Sequence, residues 1–185
     1  VVALNLRLGY EVLVFTHKKS KENKRLQKII ISTVSKALKN VKRNKEMFIG
    51  LMEFFSEIEV KEVLSQLRNL LPRFKKDSKA LCAGFRALEN IREKESISII
   101  DKILYREMKK KDENDEITMQ ELGFYQRIEK QAVKSLKSLT GRDIDSLLEF
   151  HSWWINNRSS FTVPPRPKKK EKKENTEDES EEEGQ

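Results

Sequence analysis

Apolar residues recur at helical spacing along most of this chain. Leu64, Leu67, Leu70 and Leu71 share one helical stripe, and Leu81, Phe85, Leu88 and Ile91 share another. Pro72 stands just past the first stripe, where its missing N–H ends a helix, and Asp77 and Ser78 precede the second and suit an N-cap. The pattern predicts helices near 24–42, 44–58, 60–71, 77–92, 95–110, 119–140 and 143–157. Gly141 is expected to stop the sixth of these and Asp143 to cap the seventh. Residues 1–23 stay ambiguous: Ala3, Leu4, Leu6, Leu8 and Gly9 read as the end of a preceding helical unit, and 12–15 equally as a short strand.

The stripes repeat. A slide of 33 residues sets Phe48 on Leu81, Met52 on Phe85, Phe55 on Leu88 and Ile58 on Ile91. The same slide sets Leu64 on Ile97, Leu67 on Ile100, and Leu70 and Leu71 on Ile103 and Leu104. A slide of 48 sets Val133, Leu136 and Leu139 on Phe85, Leu88 and Ile91. The extra residues fall around 108–122, where the charged run 109–116 reads as a solvated loop. In the last helix Ile144, Leu147, Leu148, His151, Trp154 and Ile155 form the expected inner stripe of an end cap, with Trp153 turned about 100° away from Trp154.

Two-helix units repeating near this length resemble the HEAT or armadillo type of helical array. The stretch Leu139-Thr140-Gly141-Arg142-Asp143 followed by Trp153-Trp154-Ile155-Asn156-Asn157 is similar to the end of many bacterial HEAT-repeat proteins, which close on a Leu-Thr-Gly turn and a Trp-rich helix. The resemblance covers roughly residues 24–160. The Asp and Arg ladder usual in HEAT arrays is not evident at equivalent positions. What the resemblance implies is an all-α fold, a HEAT-like α-solenoid of three to four helix pairs with a C-terminal cap helix. It also implies a scaffold for protein partners, with some helical-repeat relatives binding nucleic acid and no catalytic residues belonging to the fold.

Composition sharpens this picture. Charged residues make up 37% of the chain, equal to the hydrophobic share and well above the roughly 25% of an average protein, which suits an elongated array with more surface per residue. Six Gly and four Pro leave few breakers within the body. The single cysteine, Cys82, excludes an internal disulfide and a Cys-based metal site, and its apolar surroundings mark it as a core position. No run is apolar enough to span a membrane, and 1–15 carries Arg7 and Glu11 and lacks a cleavage pattern, so a cytoplasmic location is the expectation.

The chain divides into an uncertain segment 1–23, a helical-repeat domain 24–158 and a tail 159–185. The tail is Pro-rich, then basic, then acidic, with too few apolar groups to offset the entropy of ordering it. From 168 on, five Lys face eight acids. With +8 overall, the remainder of the chain therefore stands at +11.

Candidate chemistry is sparse. No nucleophile elbow, Walker loop or Gly-rich phosphate cradle occurs, and two separated histidines make no zinc site, so no enzyme activity, metal or cofactor is expected. His151 reads as a part-buried cap residue, and Glu149 points to a different helix face from it. Arg127, Lys130, Lys134 and Lys137 form a stripe opposite Ile128, Ala132, Leu136 and Leu139. Lys79 and Arg86, from the equivalent helix one unit earlier, would join them in an anion-facing band; the alternative is an ordinary solvated face. Trp153 and Phe161 form either an exposed anchor for a partner or a pair covered by the chain folding back. The expected function is protein–protein scaffolding, with nucleic-acid binding through the basic stripe as the alternative and self-association through the first repeat as a further possibility.

Overall fold

The computed structural model describes residues 12–17, 19, 23–41, 44–112 and 117–166, without the side chains of 110–112. The fold is all-helical, with no strand among the described residues. Beyond the helical residues 12–17, the described residues form, in order, α1 (Lys24–Asn40), α2 (Lys45–Glu57), α3 (Leu64–Leu70), α4 (Ser78–Ile91), α5 (Lys94–Asp112), α6 (Met119–Thr140) and α7 (Leu147–Asn157). Short 3-10 turns, Lys61–Val63 and Leu71–Phe74, flank α3. Residues 12–17 are helical, so the strand alternative for 12–15 falls away, and 1–11 lie outside the described residues.

Local chemistry sets most boundaries. Asn23, Asn44, Asp77, Thr118 and Ser146 each accept a backbone N–H from the first turn of the following helix, filling donors that have no partner within the helix. At α6 the cap is reciprocal, because Glu121 also reaches back to the Thr118 N–H (3.0 Å). Gly141 closes α6 in the left-handed region at φ 71°, where glycine carries no Cβ penalty. Two boundaries differ from expectation. Helix α7 starts at Leu147 under Ser146, because Asp143 is engaged in an ion pair with Lys137. Helix α5 continues to Asp112, so the charged run begins inside a helix; 113–116 lie outside the described residues.

Helices two apart in sequence pack against each other. The most extensive contacts join α2 to α4 and α4 to α6, while α3 meets α5 and α5 meets α7. Helix α5 also touches α4 and α6, tying the two rows together. At the interior, positions 33 apart share their fate: Phe48 and Leu81, Met52 and Phe85, Phe55 and Leu88, and Leu67 and Ile100 are all fully buried, as are Leu71 and Leu104. Gly84 is required by close approach, because a Cβ there would overlap the Leu71 side chain.

In α7 the buried face is Phe150 and Trp154 flanked by half-buried Leu147 and His151, while Leu148 and Ile155 stand 65% and 48% exposed. The expected inner stripe was therefore rotated from the real one. Trp153 is also half-buried, packed against Phe150, Trp154 and Phe161 with the Arg142 guanidinium over its ring.

The start of the expected tail is packed chain. Residues 159–166 cross the C-terminal ends of α6, α4 and α2 in turn. Phe161 sits edge-on against both tryptophans and Val163 packs on the core. The Pro164 carbonyl accepts from Arg92 (2.7 Å), and Arg166 reaches the Asn90 carbonyl and Glu59. Apolar groups at Phe161 and Val163, together with three arginine- and lysine-mediated backbone contacts, order a segment whose proline content argued for the opposite. Residues 167–185 lie outside the described residues.

Candidate anion-binding groove

A groove opens along the exposed side of α2, α4 and α6, and its cations come from two different helices. Lys79 and Arg86 of α4 face Arg127, Lys130 and Lys134 of α6 across it, and Glu53 of α2 is the acid among its lining. The placement follows from helix geometry. The steps 79, 82, 86 and 127, 130, 134 are successive three- and four-residue intervals, so each set lies on one face. On α6 the opposite face, Ile128, Ala132, Leu136 and Leu139, is completely buried, and that burial fixes the basic face outward. Because α4 and α6 are direct neighbours, the two exposed stripes become the two walls of one groove.

Electrostatically the groove is uncompensated. Among the described residues, none of Lys79, Arg86, Arg127, Lys130 and Lys134 makes an ion pair, and all five are exposed. The Arg127 Nε donates to the Gly123 carbonyl (2.9 Å), which holds the guanidinium along its own helix. Lys137, the sixth expected cation, is absent from the lining: Asp143 pairs with it and holds its ammonium above the usual range. Cys82 lies on the groove wall, half-buried, with Sγ 3.6 Å from the Arg127 carbonyl; it is not a core residue. Burial pushes its thiol up, against the pull of Arg86 and Arg127. Its position was legible, since 82 falls between 79 and 86 on the same face.

The other row carries a second groove, lined by α3, α5 and α7, where two acids are answered in place while Lys102, Arg106 and Arg158 line it without an ion pair among the described residues. Arg68 pairs with Glu95, and His151 Nδ1 faces both oxygens of Asp101 at 2.9 and 3.0 Å. Tyr105 stacks on the His151 ring at 3.9 Å. Burial pushes the Asp101 carboxyl up, and the hydrogen bond and charge of His151 work against that shift. Glu149 takes no part, as the spacing implied, but the partner fifty residues away was invisible in the sequence. The pair joins α5 to α7 and reads as a packing contact.

Trp153 and Phe161 do come together, ring centroids 5.6 Å apart and nearly perpendicular, and both are half-buried. The fold-back alternative therefore describes them, and what a partner would meet there is their edges. Among the described residues no cluster of three or more His, Cys, Asp or Glu is placed to hold a metal, and no helix is long and apolar enough to cross a membrane. No family model matches the chain, and no curated protein or solved structure matches it.

Proposed function

We propose that this chain is a non-enzymatic helical-repeat scaffold, a HEAT-like α-solenoid, that binds an acidic segment of a protein partner along the α2–α4–α6 groove. The repeat reading is supported by helices packing two apart in sequence and by the shared burial of positions 33 apart. In such an array equivalent helices line one face, so exposed side chains at equivalent positions add into a band. The single observation that carries the binding reading is the groove itself, with five exposed cations from two helices facing one acid.

The aliphatic and amide lining, Ile49 and Gln131 beside Cys82, suits an extended peptide carrying carboxylates. Stacking aromatics, which single-stranded nucleic acid favours, are missing from the lining. A duplex backbone is the second reading, favoured by the near-uniform sign of the charge. The experiment is a salt series with the full chain against polyglutamate and against random-sequence duplex DNA and RNA. Polyglutamate binding that falls with salt and is reduced by Lys130→Gln with Lys134→Gln supports the protein reading. A log–log salt slope near −4 or steeper on duplex, with little polyglutamate binding, supports the second. No binding to either overturns the groove as an anion site.

A further inference from the structure

We infer that the chain's own acidic run, residues 174–183, occupies the α2–α4–α6 groove when no partner is bound, making the groove self-inhibited. The inference rests on the anion-binding reading above and adds an occupant to it.

Three observations converge. The first is complementarity: the run holds seven carboxylates and no cation, and the groove presents five cations without an ion pair among the described residues. The second is where the described chain leads. Residues 159–166 are drawn across the helix ends, and Arg166 is fixed on the Asn90 carbonyl and Glu59. Asn90 lies four residues beyond Arg86, on the same face and about 6 Å further along α4. The packed segment thus ends, at Arg166, on the same helix as the groove that the acidic run complements.

The third is reach. Seven residues, 167–173, separate Arg166 from Glu174 and span at most about 25 Å when extended. The distance along α4 from Asn90 back to Lys79, eleven residues, is about 16 Å. The acidic run therefore reaches every groove cation without strain.

Tethering turns a weak contact into an effective one, because a short linker holds its ligand at about millimolar effective concentration. A partner must displace it, and the apparent affinity of the groove falls by the fraction of time the groove is free.

The test compares the full chain with a full-length variant whose seven carboxylates in 174–183 are amides (Glu177→Gln, Asp178→Asn and likewise along the run). Two readouts are used: affinity for polyglutamate, and the alkylation rate of Cys82 by neutral iodoacetamide, since this single cysteine lies on the groove wall. The amide variant is expected to bind polyglutamate about tenfold more tightly at low salt and to alkylate several-fold faster, with both gaps closing as salt rises. Equal affinities and equal rates overturn the inference while leaving the groove an anion site. Failure of both proteins to bind polyglutamate overturns the groove reading and this inference with it. Repeating the comparison with Arg86→Gln, Lys130→Gln and Lys134→Gln separates docking from net charge. The rate difference should vanish there, and its persistence would overturn the inference.

Discussion

The two grooves flank one core and both carry unpaired cations among the described residues, but only the α3–α5–α7 groove also holds acids bound by a side chain of another helix. Between α3, α5 and α7, Arg68 and His151 meet Glu95 and Asp101, and Trp154 closes the floor. Between α2, α4 and α6, cations from two helices face outward without ion pairs among the described residues. The difference teaches where selection for folding ends and capacity for binding begins. A hydrogen bond onto a buried carboxylate from another helix leaves that group satisfied only while the two helices stay packed, whereas a row of exposed like charges adds repulsion and contributes nothing to the fold. Substitutions at the bound acids and the floor of the α3–α5–α7 groove should therefore read out in stability, and those at the cations of the α2–α4–α6 groove in affinity.

The largest effect expected is from Trp154→Ala at the floor of the α3–α5–α7 groove, a loss of about 3–5 kcal/mol in urea denaturation, since a fully buried large side chain leaves a cavity behind. A loss below about 1 kcal/mol would mean that α7 is not part of the cooperative unit. His151→Ala comes next. It strands the buried Asp101 carboxylate and bares the Tyr105 ring, and is expected to cost about 2 kcal/mol at neutral pH. His151→Gln, which can still donate to Asp101, should recover part of that.

Asp77 offers a finer cut, because it is a charge on the α2–α4–α6 side that does serve the fold. It caps α4 and pairs with Lys45 at the start of α2. Burial pushes its carboxyl up, but the Lys45 hydrogen bond and charge and the Ala80 and Lys79 N–H groups outweigh that and hold it below the usual range. A folded value below the unfolded one means that the stability is present above the ordinary aspartate range and is lost as pH falls through the lowered value. Asp77→Ala should cost about 1 kcal/mol at pH 7. Asp77→Asn keeps a cap but not the charge, so its deficit at neutral pH should close on acidification, as denaturation curves at neutral and acid pH would show. A deficit that does not change with pH would place the whole effect in the cap.

The smallest expected effect is also the most telling one. Lys130→Gln with Lys134→Gln should leave stability within about 0.5 kcal/mol of the parent while weakening polyglutamate binding several-fold. The matched pair Lys102→Gln with Arg106→Gln, in the other groove, should leave that binding unchanged. If both pairs weaken it alike, net charge rather than groove geometry governs the interaction.

Period and caps made the helices legible. The stripes beginning at Leu64 and Leu81, the Asp77 cap and the Gly141 stop are local features, and all four stand where the sequence set them. The basic stripe was legible for a related reason: a face opposite Ile128, Ala132, Leu136 and Leu139 has nowhere to point but outward. What failed was whatever depends on a partner distant in sequence. His151 meets Asp101 fifty residues away, and the α7 face turns so that Trp153 and Trp154 both meet the folded-back Phe161. Arg92 gave no warning of its left-handed φ of 54°, a cost of about 1 kcal/mol or more for a residue with a Cβ. Its guanidinium offsets that cost by bonding the Ser138 and Pro164 carbonyls, from two segments that adjacency in sequence does not connect.

The segment 159–166 bears on how the molecule comes apart. In a stack whose contacts run only between neighbours, the end unit peels first and each loss leaves the rest intact. Here the last helix continues into a clasp fastened at Asn90 and Glu59, contacts that close loops of 76 and 107 residues. While it is shut, α7 cannot fray without freeing Arg92 and Arg166 as well. The helices thereby gain a tie between the end of the last one and the middle of the fold, so α7 does not come apart independently of α2 and α4.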